Sequence, residues 1–229
     1  MSDQLLISPQ SFNPPKTNHD VVLIYNLNYF FRFRELVNGT KVKSFGPSKR
    51  FSFGIDSKSV TVLGGLIGAP LAAIAVEQAC AYEPKQFLAF GTAGWIGTQK
   101  VIVGDLFSPS FGIDYTGLAA EYGATSTKTK FHHLCKVSNC QGIASRNGFF
   151  SLDSKIIDQY RGEKIDLIDM EAAPLLFLTK LRKSQFQPLF VVSDVISKDN
   201  QWFNGAELPS FKTGIEKGME LLKRTIATI

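Results

Sequence analysis

The chain has few cysteines and no recognisable metal-binding pattern. Its 229 residues include only three cysteines, at Cys80, Cys135 and Cys140. Free thiols in odd number are typical of a reducing cytoplasm rather than of a disulfide framework. His132 and His133 lie near Cys135, but adjacent side chains of a strand point to opposite faces, which argues against a zinc site. We therefore expect a cytoplasmic protein with no metal and no cofactor.

Neither sign of charge dominates the sequence. The formal net charge is +5, and the basic residues are scattered, with the nearest cluster at Lys41, Lys43, Lys49 and Arg50. No basic stripe interleaved with aromatic residues is present, so we expect no nucleic-acid binding. No G-x-G-x-x-G motif opens a helix after the first predicted strand, which disfavours a dinucleotide-dependent oxidoreductase.

No hydrophobic run is continuous enough to predict a membrane span. Residues 59–76 carry no charge, but three glycines and Pro70 interrupt them. This pattern favours a strand, a glycine turn and a helix with Pro70 in its first turn. Residues 1–19 are polar and proline-rich and lack the charged start and apolar core of a signal peptide. We expect them to form an irregular N-terminal segment.

Apolar runs alternate with amphipathic segments along the rest of the chain. The runs predict strands at 21–25, 51–55, 60–65, 86–91, 105–110, 141–146, 166–170 and 189–194, and the amphipathic segments predict helices at 69–82, 154–161, 171–183 and 209–227. Short apolar runs bounded by turn residues suit strands buried on both faces. The sequence therefore predicts a single α/β domain over residues 1–229, with a central mixed sheet in a three-layer α/β/α arrangement.

Several polar or aromatic groups follow predicted strands. They are the glycine-rich turn Gly91–Gly94, the pair Phe149 and Phe150, the pair Met170 and Glu171, and the pair Ser193 and Asp194. Ligands of open α/β sheets bind beyond the carboxyl ends of the strands. Each group also has a purely structural interpretation: an ordinary turn, a core aromatic pair, a helix-dipole partner and a helix or turn cap.

Five segments, in order, make the chain resemble the superfamily of purine nucleoside phosphorylases, uridine phosphorylases and methylthioadenosine/adenosylhomocysteine nucleosidases. The segments are GGLIGAPLAAIAVEQ (64–78), FLAFGTAG (87–94), VGDLF (103–107), IDMEAAPLL (168–176) and VVSDVISKD (191–199). The resemblance covers roughly residues 20–228. It implies a nucleoside phosphorylase-like fold and cleavage of the N-glycosidic bond of a nucleoside.

The resemblance also implies roles for individual residues. Asp194 matches the acid that protonates the leaving base, and Glu171 matches the acceptor of hydrogen bonds from the ribose hydroxyls. Met170 packs on the sugar in this interpretation, and Phe150, with Phe149, stacks on the base. Thr92, Ala93, Gly94 and Ser193 complete the expected nucleoside site.

The family uses phosphate in some members and water in others. Gly91, Thr92, Arg32 and Arg50 are the candidates for a phosphate site, Arg50 from a neighbouring subunit. The resemblance implies that the chain is a homodimer or hexamer. The apolar stretch 28–37 points the same way, provided that it lies outside the core.

Three departures from the family pattern bear on the reaction. Ala89 stands where the phosphorylases hold a phosphate-binding arginine, and Asn26 and Asn28 replace their glycine–aspartate turn. Without a bidentate arginine a phosphate dianion is poorly held, which favours water. No glutamate matches the water-activating residue of the nucleosidases, since Glu35 lies too far along the chain.

The sequence thus predicts a hydrolytic nucleosidase, with a phosphate-dependent phosphorylase and a non-catalytic nucleoside-binding protein as alternatives. In the family that the chain resembles, uridine-cleaving members carry a glutamine and an arginine just after the aromatic turn, and the segment FFSLDSK (149–155) has neither. Together with Asp194, the resemblance therefore implies a purine base.

Overall fold

A computed structural model describes residues 7–131 and 137–229. The possible zinc ligands His132, His133 and Cys135 lie outside the described residues. A short 3₁₀ helix, Pro9–Phe12, precedes the first strand.

Eleven strands and six α-helices follow in the described residues. The strands are β1 (Asp20–Ile24), β2 (Lys43–Phe45), β3 (Ser48–Ile55), β4 (Lys58–Gly64), β5 (Gln86–Trp95), β6 (Leu106–Asp114), β7 (Lys128–Lys130), β8 (Ser138–Ser145), β9 (Ile165–Asp169), β10 (Gln185–Ile196) and β11 (Trp202–Asn204). The helices are α1 (Leu27–Leu36), α2 (Ala69–Cys80), α3 (Leu118–Glu121), α4 (Ser154–Gly162), α5 (Ala172–Leu181) and α6 (Pro209–Thr228). Every predicted strand and helix is therefore present.

The strands form one mixed sheet whose order is β11-β10-β6-β8-β9-β5-β1-β4-β3-β2, with β7 on β6. An additional parallel pairing of β10 with β5 joins two strands of this path. Strands β5, β10, β6, β8 and β9 consequently close into a ring, while β1, β4, β3 and β2 extend from it as an open sheet. The mixed sheet was predicted, and its closure was not.

Helices cover both faces of the sheet. Val21 and Leu23 of β1 pack in a core with α2 and α5, whereas Val22 and Ile24 pack in a second core with α1 and α6. This alternation follows from the two-residue period of a strand, and burial on both faces explains the unbroken apolar run. The predicted three-layer α/β/α arrangement is confirmed.

The stretch 28–37 belongs mostly to helix α1. Asn26 caps the helix by accepting from the backbone N–H groups of Asn28 and Tyr29. Phe30 and Phe33 are fully buried, and Phe30 fits against Gly64, where a β-carbon would lie 2.2 Å from its ring. The condition that the stretch lies outside the core is therefore not met, and it gives no support for oligomer formation.

The predictions for residues 59–76 and for Gly91–Gly94 have different outcomes. Residues 59–76 form β4, a glycine turn and α2 with Pro70 in its first turn, as predicted. The predicted turn at Gly91–Gly94 is wrong, because these residues continue strand β5.

Across residues 7–131 and 137–229, the structure has no helix that is both long and apolar enough to span a membrane.

Candidate active site

A cavity opens at a gap between two neighbours of β5. One edge of β5 is paired along its length with β10, while the other edge is paired with β1 only as far as Phe90 and with β9 only from Gly94. Residues 91–93 lie at the gap, and Gly91, Thr92, Ala93 and Gly94 all line the cavity. Four predicted binding residues therefore meet the cavity through a strand edge rather than through a turn.

A β-bulge places Asp194 in the same cavity. The pairing of β10 with β5 shifts register between Val192 and Asp194, so Ser193 is an extra residue. Consecutive residues of a regular strand point to opposite faces, but a bulge re-aims its side chains. Ser193 and Asp194 accordingly both line the cavity.

Gly94 leaves room for the Asp194 carboxylate. A β-carbon at position 94 would lie 2.9 Å from Oδ2 of Asp194, closer than carbon and oxygen normally approach. The glycine of the predicted motif is thus explained by space beside an acid.

Two side chains donate hydrogen bonds to Asp194. The Ser193 hydroxyl donates to Oδ1 at 2.6 Å, and the indole N–H of Trp202 donates to Oδ2 at 3.0 Å. Both contacts come from side chains rather than from helix-terminal N–H groups, so the capping interpretation of Asp194 is not supported.

Met170 and Glu171 line the cavity where β9 gives way to α5. Oε1 of Glu171 accepts from the backbone N–H of Gly68 at 2.6 Å, and Oε2 accepts from that of Met170 at 3.3 Å. Burial, followed by the nearby charge of Asp169, raises the pKa of Glu171 to about 8. The environment of the Glu171 carboxyl group thus disfavours its ionisation.

Asp169, which the sequence analysis did not single out, caps helix α5. Its Oδ2 accepts from the N–H groups of Ala172 at 2.7 Å and Glu171 at 3.2 Å, and its Oδ1 accepts from the Ser145 hydroxyl. Burial raises the pKa of Asp169 to about 6 despite these bonds. Asp169, rather than Glu171, therefore accepts the hydrogen bonds of the backbone N–H groups at the start of α5.

Tyr25 lies beside this carboxylate pair. Its ring occupies the space left by Gly91, where a β-carbon would be 2.4 Å away. Burial, followed by the charges of Asp169 and Glu171, raises the Tyr25 pKa well above its usual value. The hydroxyl is buried and has no hydrogen-bond partner among the described residues. A buried unpaired hydroxyl at a cavity is available to a ligand.

Arg146 is the one positively charged side chain among the described residues that line the cavity. Its Nη2 donates to the Ser151 hydroxyl at 2.7 Å, while Nε and Nη1 are buried without a partner in the described part of the chain. Asp169, Glu171 and Asp194 line the same cavity. Carboxyl groups therefore outnumber cationic groups.

The remaining predicted residues are divided between the cavity and other surfaces. Phe149 lines the cavity, whereas Phe150 is 96% exposed and lies outside the lining. Arg32 pairs with Glu216 at 2.9 Å, and Arg50 donates to the carbonyl of Lys16. The structure does not bring Phe150, Arg32 or Arg50 to the cavity of their own chain.

The described residues contain no group of three or more histidine, cysteine, aspartate or glutamate side chains arranged to hold a metal ion. The cavity instead combines a hydrogen-bonded acid, a buried carboxyl pair, a tyrosine hydroxyl and an aromatic ring. Such a set can exchange protons, bind hydroxyl groups and contact a flat ligand.

Comparisons with known proteins place this cavity in a known fold. No protein-family model and no curated protein matches the sequence significantly. Uridine phosphorylase from Vibrio fischeri ES114 has a TM-score of 0.78 at 15% identity, over 97% of this chain and 95% of that chain. Purine nucleoside phosphorylase from Toxoplasma gondii, in complex with immucillin-H, has a TM-score of 0.78 at 19% identity, over 93% and 92%. The Vibrio enzyme complexed with 6-hydroxy-1-naphthoic acid has a TM-score of 0.76 at 16% identity, over 96% and 92%.

Proposed function

Because this chain has the nucleoside phosphorylase fold, we propose that it cleaves the N-glycosidic bond of a purine nucleoside with water. The observation that carries the proposal is the convergence of Asp194, Glu171 and Met170 on one cavity at the strand ends. These residues come from β10 and from the β9–α5 junction.

Asp194 is the proposed general acid. When the bond between C1′ and the base nitrogen breaks, its electron pair moves to the base, and a proton from Asp194 to a ring nitrogen neutralises the developing charge. Water then forms the new C1′–O bond and releases one proton, which replaces the proton that Asp194 has lost. A positioned acid of this kind contributes about a hundredfold to ten-thousandfold in rate. The bulge at Ser193 and the space at Gly94 hold the carboxyl group in the cavity.

Glu171 and Met170 are the proposed ribose contacts. The Glu171 carboxylate accepts hydrogen bonds from ribose hydroxyls, and its charge stabilises the cationic character that develops at C1′. Hydroxyl donors favour the ionised form of a carboxyl group, which offsets the effect of burial. Phe149 is the proposed aromatic contact of the base, since Phe150 lies outside the lining of its own chain.

The excess of carboxyl groups over cations in the cavity favours water over phosphate as the nucleophile. Asp169, Glu171 and Asp194 face a single cation, Arg146, and part of its guanidinium is held by Ser151. A phosphate dianion entering this cavity would lose hydration and meet carboxyl groups, whereas water is neutral and meets no such penalty. Ala89 is buried in the core and offers no charge.

A nucleoside panel tests the proposal. Adenosine, inosine, guanosine, 5′-methylthioadenosine and uridine are incubated with the protein, with and without phosphate, and the base and sugar products are separated by chromatography. We expect a purine base and free ribose, or its 5′-substituted form, in phosphate-free buffer, with little change in rate on adding phosphate.

Matched variants link the activity to the cavity. Asp194→Asn removes the proton donor and is expected to lower turnover about a hundredfold or more with a modest effect on KM. Asp199→Asn makes the same chemical change at an exposed position of the same hairpin and should retain wild-type turnover.

Three outcomes would contradict parts of the proposal. Ribose 1-phosphate formed only in the presence of phosphate would establish a phosphorylase. Faster cleavage of uridine than of any purine nucleoside would overturn the base preference. Nucleoside binding without release of base would establish a non-catalytic binding protein. We further propose that the protein is cytoplasmic, that it is a homodimer or hexamer, and that its partner is a small-molecule nucleoside.

A further inference from the structure

The hairpin after β10 places Trp202 on the same face as Asp194. In the antiparallel pairing of β10 with β11, Asp194 lies opposite Asn204 and Ile196 lies opposite Trp202. Residues two apart on a strand share a face, and so do directly paired residues. Trp202 is therefore a diagonal neighbour of Asp194, and the strand register sets this position.

The indole N–H of Trp202 uses this position to donate to Oδ2 of Asp194 at 3.0 Å. Trp202 is 57% exposed, so burial explains only part of its position on a three-residue edge strand. A hydrogen bond between an indole N–H and a carboxylate is charge-assisted and stronger than a neutral one.

The indole nitrogen is a donor only, whereas a serine hydroxyl can donate or accept. The lone pair of Oδ2 that faces Trp202 therefore cannot hold a proton while the hydrogen bond persists. When Asp194 is protonated, its proton must occupy another site on the carboxyl group, with Ser193 free to adapt at Oδ1.

From this geometry we propose that Trp202 is a positioning residue for Asp194, which fixes the plane of the carboxyl group and keeps the acidic proton off the side facing the indole. The inference rests on the proposed function, because the proton has a role only if Asp194 is the general acid. It assigns the second strand of the hairpin to the active site, although Trp202 does not itself line the cavity.

Indole N–H signals in a ¹⁵N–¹H spectrum test the contact without any need for activity. The chain has two tryptophans, Trp95 and Trp202, and the Trp95 N–H donates to the Gly97 carbonyl as an internal reference. Trp202→Phe assigns the signals by removing one of them. We expect Asp194→Asn to move the Trp202 signal and leave the Trp95 signal in place. A Trp202 signal unchanged by Asp194→Asn would overturn the proposal.

Steady-state kinetics on the best purine nucleoside test the role. Trp202→Phe is expected to lower kcat roughly tenfold or more, with KM changed much less, because substrate contacts remain while the acid loses its orientation. Phe203→Leu is the matched control, since Phe203 is 53% exposed on the same strand and its side chain lies on the opposite face. It should retain wild-type kcat.

A variant with benzothienylalanine at position 202 separates the N–H from the ring, because sulfur replaces the indole nitrogen with little change of shape. We expect it to lose kcat as Trp202→Phe does. Wild-type kcat in this variant, or an equal loss in Phe203→Leu, would overturn the proposal. If the wild type cleaves no nucleoside, the proposed function fails and the positioning role with it, while the spectrum still reports the hydrogen bond.

Discussion

At the scale of single residues, the two buried carboxyl groups at the start of α5 are satisfied unequally. Asp169 accepts two backbone N–H groups and the Ser145 hydroxyl, and these bonds offset part of the cost of burial. Glu171 accepts from Gly68 and Met170 and also meets the charge of Asp169. Its pKa is accordingly raised further, which leaves Glu171 as the carboxyl group with most to gain from ligand donors.

This difference predicts the pH dependence of the reaction. With the pKa of Glu171 raised to about 8 in the empty site, the residue is protonated at lower pH and ionised above that value. Because kcat/KM reports ionisations of the free enzyme, we expect the ionisation of Glu171 to contribute a rise in kcat/KM with pH up to about 8 if ionised Glu171 binds the ribose. Rates of base release from about pH 5.5 to about pH 9 provide the measurement.

Glu171→Gln cannot ionise, so its kcat/KM should be lower and should lack this rise. Glu207→Gln, at an exposed position, should keep the wild-type profile. A rise that persists unchanged in Glu171→Gln would assign it to another group.

Some site residues could be found from the sequence and others could not. Asp194, Glu171 and Met170 belong to motifs next to strand ends, and the structure brings all three to the cavity. Trp202 depends on the register of a hairpin, which an edge strand of three residues does not reveal. Arg146 is the last residue of the predicted strand 141–146, and a charged residue at a strand end is a signal that could have identified it.

At the scale of elements, helix α1 shows why a helix can be missed in the sequence. Asn26 is a good N-cap residue, and Phe30 and Phe33 are spaced as a helical face, but the neighbouring Phe31 and Tyr29 obscure the period. By contrast, α2 and α6 carry clear proline starts and regular apolar spacing, and both were predicted closely. Strand β5 extends beyond its predicted end because Gly91–Gly94 were assigned to a turn.

The extension of β5 makes a specific prediction about Gly94. In Gly94→Ala the new β-carbon would lie 2.9 Å from Oδ2 of Asp194, so the carboxyl group must move. Misplacing a catalytic group by about 1 Å can cost on the order of a hundredfold in rate. We expect turnover to fall at least tenfold while thermal denaturation shows a small change, because the atom displaced is a side-chain oxygen.

Gly54→Ala is the matched control for this variant. Gly54 also lies within a strand, β3, and its nearest contact to a new β-carbon is an ordinary 3.9 Å from the Lys58 carbonyl. It should leave turnover unchanged. Wild-type turnover in Gly94→Ala would show that Asp194 does not need the space beside β5.

At the scale of the whole molecule, the order of elements was predictable and the closure of the sheet was not. Periodicity identifies a strand and its buried faces, but it does not state which strands become neighbours. The closing pairs join β10 to β5 across about a hundred residues, for example Phe190 with Gly91. The gap that forms the cavity lies on the other edge of β5, between its pairings with β1 and with β9. These pairings also join segments that are distant in the sequence, so the shape of the cavity could not be derived from local patterns.

The distribution of exposed apolar side chains predicts the assembly state. Ile67 and Phe149 line the cavity and are 59% and 57% exposed, and Phe150 packs against Phe149 while being 96% exposed. Contiguous exposed apolar surface of this kind marks an interaction site. We expect association through the cavity mouth, giving a light-scattering mass at micromolar concentration at least twice the 25.3 kDa of one chain.

Phe150→Ser should shift the mass toward the monomer. Phe12→Ser should not, since it alters a 65% exposed phenylalanine in the N-terminal 3₁₀ helix. A wild-type mass of 25.3 kDa would refute the prediction, and an assembly insensitive to Phe150→Ser would place the interface elsewhere.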